Sequence, residues 1–142
     1  MTPGKVLGLD WGEVRCGWAL SDAGAVLAGR SGTYARVSPE ADLDFFKRMV
    51  EAEGVVEVAL GVPYNMDGSL GPQARAVLAA GEALAAALGV PVVEVDERLT
   101  SAEAERVMLE GGLSRRRRKR QRDALAAVLI LQAHLDRRRR SR

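Results

Sequence analysis

Val6 to Leu20, VLGLDWGEVRCGWAL, is the stretch that decides the fold. An apolar run to Leu9, a break at Gly12 and a second apolar run from Val14 read as two short strands turned back on each other, with Asp10 ending the first. A carboxylate in such surroundings is costly without a cation or hydrogen-bond donors. At this level Asp10 has two readings. Its side chain either closes the hairpin turn by bonding to its own backbone, or it faces a bound cation.

Outward from the hairpin, the Asp22-Ala23-Gly24 turn precedes a third extended piece, Ala25 to Tyr34. Three strands in succession without a helix imply an antiparallel meander. Ser38-Pro39-Glu40 supplies an N-cap, a proline for the first helical position and an early acid, which start a helix running to about Glu53. Its expected apolar face is Leu43, Phe46 and Val50, and Gly54 stops it. Val55 to Val62 is a buried strand ending at Pro63, and Tyr64-Asn65-Met66-Asp67-Gly68-Ser69 is a sharp polar turn in which Asp67 is a turn former. Pro72 opens an Ala-rich helix to Leu88, and Val92 to Val95 is a last short strand. Strand, helix and strand in this order make parallel neighbours through right-handed crossovers. Open sheets place their sites at the carboxyl ends of such strands.

Asp96-Glu97-Arg98 sits at one of those ends. Thr100 and Glu103 form a capping box that predicts a helix over Ser101 to Glu110, stopped by Gly111-Gly112. After the basic run at 114–122, Asp123 opens ALAAVLILQAHL, apolar on nearly every face and therefore a buried helix. Residues 137–142 read as a frayed basic tail.

The 142 residues, 47% hydrophobic, suit one domain with a proper core, and no linker or internal repeat divides them. The lone Cys16 excludes an internal disulfide, and no Cys or His spacing suggests zinc. No export signal is evident and no apolar run reaches bilayer length, so a soluble cytoplasmic protein is expected. The net charge of +2 hides an asymmetry. Residues 1–113 carry 9 basic against 17 acidic side chains, a net −8, whereas residues 114–142 carry 12 against 2, a net +10. A basic end on an acidic body suits a polyanionic partner.

Three acids then stand out: Asp10 ending the first strand, Asp96 or Glu97 ending the last, and Asp123 in the first turn of the final helix. Acids brought together repel unless divalent cations lie between them, and hard Mg2+ or Mn2+ prefers oxygen ligands. Two such ions support phosphodiester hydrolysis. For Asp123 alone, the helix dipole would suffice to explain an acid in a first turn.

Four segments, GLDWGEVRCGWAL at Gly8 to Leu20, LGVPYNMDGSLG at Leu60 to Gly71, VDERLTS at Val95 to Ser101 and DALAAVLILQAHL at Asp123 to Leu135, carry a resemblance over nearly the whole chain. In this order they resemble the YqgF/RuvX family of the RNase H-like superfamily. The resemblance implies an α/β fold with a mixed five-stranded sheet, three antiparallel strands then parallel ones, flanked by helices. It implies that Asp10, Glu97 and Asp123 are the metal-binding acids. Glu97 is chosen over Asp96 because neighbouring strand residues face opposite ways and the longer arm emerges past the strand end. Many related nucleases end the fourth strand with an acid; here Val62-Pro63 takes that place. The implied activity is a Mg2+- or Mn2+-dependent nuclease that trims the 5′ end of precursor 16S ribosomal RNA, with four-way DNA junctions as the alternative substrate. A junction resolvase needs two sites acting in concert, so that alternative expects a homodimer.

Arg115 to Arg122 form a solvated, mobile segment by like-charge repulsion, which a phosphate backbone could order beside the acids through Arg115, Arg116, Arg117, Arg118, Lys119 and Arg120. Arg15 and Arg98 flank the strand-end acids and can steer phosphate, or pair with Glu13 and Glu97. Asn65 can contact sugar or base, although its turn also explains it. Trp11, Trp18 and Cys16 read as packing and His134 as a polar rim residue. Two other classes compete. Asp10-Trp11-Gly12 also begins the phosphate loop of actin-like ATPases and sugar kinases, but that fold needs two lobes. A non-catalytic nucleic-acid binder has no use for three acids that repel phosphate.

Overall fold

In the computed structural model, which describes residues 4–100 and 115–140 (115–123 by backbone alone), the opening stretch forms β1 (Lys5–Trp11) and β2 (Arg15–Ser21). β3 (Ala28–Ala35), α1 (Pro39–Glu53), β4 (Val55–Val62), α2 (Pro72–Leu88), β5 (Val92–Asp96), a 3₁₀ turn at Glu97–Leu99 and α3 (Arg115–Arg140) follow. The sheet order is β3-β2-β1-β4-β5. The first three strands pair antiparallel, and β1 with β4 and β4 with β5 pair parallel. This is the expected mixed sheet.

Local signals set most boundaries. Ser38 Oγ accepts from the Ala41 N–H at 3.1 Å and Pro39 occupies the first turn of α1, while Gly54 and Gly89 end α1 and α2. β3 starts three residues later than expected. Asp22 Oδ1 accepts from the N–H groups of Val26 and Leu27, and Asp22 N–H donates to Leu27 O, so residues 22–27 close into a loop before the ladder begins.

The last helix differs more. It starts at Arg115, eight residues before Asp123, and runs through Arg140 into the stretch read as a frayed tail. Arginine is a good helix former. At the far end Arg138 donates to Glu57 at 3.0 Å and Arg139 pairs with Asp136 at 2.6 Å, which holds turns that charge repulsion alone would fray. Asp123 therefore lies more than two turns inside α3, where the stabilising effect of the helix dipole on an acid has faded. The expected helix over Ser101 to Glu110, with its glycine stop, lies outside the described residues.

Alternation splits the sheet between two cores. Leu7, Leu9 and Trp11 join Val58, Leu60 and Val62 against α1 and α2, whereas Val6, Ala19, Ala59 and Val95 pack against Ala127, Ile130, Leu131 and Leu135 of α3. On α1 the buried stripe is Asp42, Phe46 and Val50, so a carboxylate occupies a place expected for an apolar side chain.

α3 lies very close to the sheet because two strand positions facing it are glycines. A Cβ at Gly8 would meet Leu131 Cβ at 2.7 Å and Ala127 O at 2.8 Å, and one at Gly61 would run into Ile130 Cδ1. Ile130 thus sits over the end of β4, while His134 and Arg138 reach Glu57 near its start. The helix runs antiparallel to β1 and β4, and its basic amino-terminal turns extend past the carboxyl ends of the strands. His134, expected at the rim, is 7% exposed and bonded to Glu57 Oε1 at 2.7 Å.

Gly8→Ala should cost about 1–3 kcal/mol of folding free energy, because the methyl group meets backbone as well as side chain and α3 must lift to admit it. Urea unfolding measures this.

Candidate active site at the strand ends

On β1, Asp10 follows Gly8 on the face covered by α3, and opposes Gly17 of β2. On β5, Val95 faces the same way. Two residues on, Glu97 opens the 3₁₀ turn and is brought over β4, its Cγ standing 2.9 Å from where a Gly61 Cβ would be. Any larger residue at 61 would fill that space. Across this gap the Glu97 carboxyl reaches that of Asp10 and hydrogen-bonds with it. Burial, then the Asp10 charge and hydrogen bond, and then Asp96 push the Glu97 carboxyl up to about 8 from an ordinary 4.5. Two carboxyls in such contact hold a proton between them or take a cation.

Asp96 faces the other way. Its carboxylate caps the 3₁₀ turn through the Arg98 N–H at 2.9 Å and receives Arg98 Nη2 at 2.6 Å, which holds it below the usual carboxylate range. Of the two adjacent acids, Glu97 is the one brought to Asp10. For Arg98, the pairing with Glu97 that the sequence allowed is replaced by one with Asp96. Its Nη1 also donates to Met66 O at 3.2 Å, and its guanidinium lies 5.7 Å from the Tyr64 ring centroid. This arginine ties the β4–α2 loop to the segment that carries Glu97.

Asn65 is exposed and works within that loop, donating through Nδ2 to Ser69 Oγ at 3.0 Å. Asp67 accepts from Ser69 N–H at 2.9 Å, a turn residue as expected. Arg15 opens β2 opposite Ala35 and is half-buried. Burial pushes the Cys16 thiol up to about 12, in keeping with packing. Asp123 falls on α3 one turn before Ala127, which covers Gly8, so its backbone lies toward the Asp10 end of β1. Its side chain, and those of Arg115 to Arg118, Lys119 and Arg120, lie outside the described residues. Among the described residues no group of three or more His, Cys, Asp or Glu side chains is poised for a metal.

The reading of the sequence missed Arg36 and Asp42. Asp42 is completely buried and accepts from Tyr34 Oη at 2.8 Å, Arg36 Nε at 2.9 Å and the Val37 N–H at 2.9 Å. The available signal was its place four residues before Phe46 and eight before Val50, a charge in a buried stripe that requires partners.

Residues 4–137 match the RuvX family, described as Holliday junction resolvase. A relative from Moorella thermoacetica is 48% identical, covering 94% of this chain and 95% of its own, and one from Caldanaerobacter subterraneus is 44% identical over 93% and 96%. Both carry the name "Putative pre-16S rRNA nuclease". Among solved structures, Thermus thermophilus RuvC in complex with a Holliday junction substrate superposes with a TM-score of 0.60 at 19% identity, covering 94% of this chain and 96% of that one. The nuclease of the phage G20c large terminase gives 0.53 at 11% identity, over 93% and 82%. These two likenesses establish the RNase H-like fold.

Glu97 binds its proton more tightly folded than unfolded. The stability that proton contributes is complete below about 4.5 and is lost as the pH rises through about 8. The unfolding free energy of the metal-free protein should therefore fall between pH 5 and pH 8.5, and Glu97→Gln should flatten that fall. An unchanged slope in the variant would locate the proton elsewhere.

Proposed function

The chain belongs to the RuvX family, and from that premise we propose that it is a nuclease hydrolysing phosphodiester bonds of structured nucleic acid, with precursor 16S ribosomal RNA as its cytoplasmic substrate. The observation that carries the reading is the contact of Asp10 with Glu97 across the side-chain-free position 61. A carboxyl pair with a raised pKa, built only of oxygen donors, fits a hard divalent cation that would replace the shared proton. Asp10 and Glu97, with Asp123 from α3, would hold Mg2+ or Mn2+. When bound, two such ions would supply activation of water and stabilisation of the leaving oxygen.

The chain's own residues do the rest. β1 and the 3₁₀ turn fix the two carboxylates at the strand ends. Arg15, and the basic stretch from Arg115 through Arg118, Lys119 and Arg120, draw the phosphate backbone to that end of the sheet. Arg98 and Asn65 shape its border through the β4–α2 loop. Such contacts position a backbone without reading its sequence, so substrate choice rests on shape. The name shared by the relatives at 48% and 44% identity favours ribosomal RNA. The description of the family and the fold of RuvC support four-way DNA as a second reading, in which a symmetric dimer would present two sites to one junction.

Purified protein with Mn2+ should cleave precursor 16S RNA at its 5′ end, and Asp10→Asn, Glu97→Gln or Asp123→Asn should each lower the rate by more than about 100-fold, beyond what loss of an outer metal partner costs. Equal cleavage by wild type and variants would reject the site. Preferential cutting of a four-way junction by a dimer would select the second reading. Replacing Arg115 to Arg118 with Gln should reduce the slope of log affinity against log salt by about 3 if all four meet phosphate; an unchanged slope would make the run ordinary surface.

A further inference from the structure

The turn that follows Asp10 has no ladder of its own. Pairing of β1 with β2 closes at Trp11 opposite Cys16, leaving Gly12, Glu13 and Val14 outside it. The carbonyls of these three successive residues nevertheless all accept from one residue. Arg36 Nη1 donates to Gly12 O at 3.1 Å and to Glu13 O at 3.4 Å, and the Arg36 backbone N–H donates to Val14 O at 2.9 Å. The same guanidinium lies 5.0 Å from the centroid of Trp11, the neighbour of Asp10, and its Nε donates to Asp42 Oδ2 at 2.9 Å. Asp42 is itself immobilised by Tyr34 Oη and the Val37 N–H in the buried base of α1.

We infer that Arg36 is a positioning residue for the carboxylate pair: by clamping the turn carbonyls to buried Asp42 it fixes the backbone that carries Asp10, and so sets the affinity of the strand-end site for divalent cations. The inference rests on the reading that Asp10 and Glu97 hold such ions. Asp10 and Glu97 repel once both are ionised, and β1 ends one residue beyond Asp10. The β1–β2 pairing of Asp10 with Gly17 and of Trp11 with Cys16 holds one side of this strand end, and the clamp holds the turn beyond it, so losing the clamp loosens the strand end and lets the carboxylates drift apart. Glu97 has a corresponding anchor in the Asp96–Arg98 pair. A planar guanidinium suits the task because it spans a carboxylate and two carbonyls at once, which an ammonium group does not.

Calorimetric titration with Mn2+, paired with urea unfolding, tests this on three variants of the full chain. Arg36→Lys keeps a cation beside Asp42 but loses the span, and should weaken Mn2+ binding about 10-fold or more, the range expected for outer partners of a metal site. Asp42→Asn keeps the burial and loosens the ion pair, and should weaken binding in the same direction. Tyr34→Phe removes one bond to Asp42 but keeps the carboxylate and the Arg36 span, so it should lower stability and weaken Mn2+ binding clearly less than Asp42→Asn does. If Arg36→Lys and Asp42→Asn lose stability but bind Mn2+ as wild type does, Arg36 is structural only and the proposal falls. Should Arg36→Lys fail to fold, the contrast between Asp42→Asn and Tyr34→Phe decides. Wild-type protein that takes up no Mn2+ would overturn the underlying cation reading, and the proposal with it.

Discussion

Two carboxylates forced into contact across a strand position that has no side chain are the constraint on which the rest of this structure turns. β1 and β5 are not neighbours; β4 lies between them. Asp10 and Glu97 meet only because Gly61 leaves the surface of β4 open and because Glu97 is long enough to cross it. Burial, with the charge and hydrogen bond of Asp10 beside it, raises the Glu97 carboxyl to about 8, and on the proposed function this is what would draw a cation to the site. β4 ends without an acid at Val62, followed by Pro63, and the carboxyl that faces Asp10 reaches over from beyond β5 across the empty position at 61.

The same two glycines govern α3. Gly8 and Gly61 let the helix descend onto the sheet until Ala127, Ile130 and Leu131 touch strand backbone. Close packing against a twisted sheet fixes the direction of the helix, so its arginine-rich beginning projects over the carboxyl ends of the strands. Acidic and basic parts of the chain, opposite in net charge, are thereby brought to one edge. On the proposed function, a polyanion drawn to the basic turns would arrive where the carboxyl pair would hold cations, so that attraction and chemistry would be parts of one arrangement.

Each arm of the pair has its own brace. Arg98 binds Asp96 and the Met66 carbonyl beneath Glu97, and Arg36 binds Asp42 and the turn carbonyls beside Asp10. In both, an arginine couples a carboxylate to backbone oxygens, using the fork of donors that distinguishes it from lysine. The arginine-rich composition is therefore more than a source of surface charge. These two arginines are built into the framework.

What the sequence alone determined was the set of elements and the chemistry of the candidate acids. Ser38-Pro39, Gly54, Pro72 and Gly89 act on the residues beside them, so α1, β4 and α2 were legible to the residue, and the succession of strands and helices implied the mixed sheet. Asp22 closing a loop before β3, and the early start of α3 at Arg115, were not legible. In the first a side chain reaches four and five residues along, and in the second packing and helix propensity outweigh local charge repulsion. Only the tertiary structure decided that Glu97 and not Asp96 joins Asp10, that Asp42 is buried and braced, and that Arg36 holds the turn. Those outcomes depend on strand order, on register and on the absence of a side chain at 61, and each couples positions too far apart in the chain for any local rule to connect.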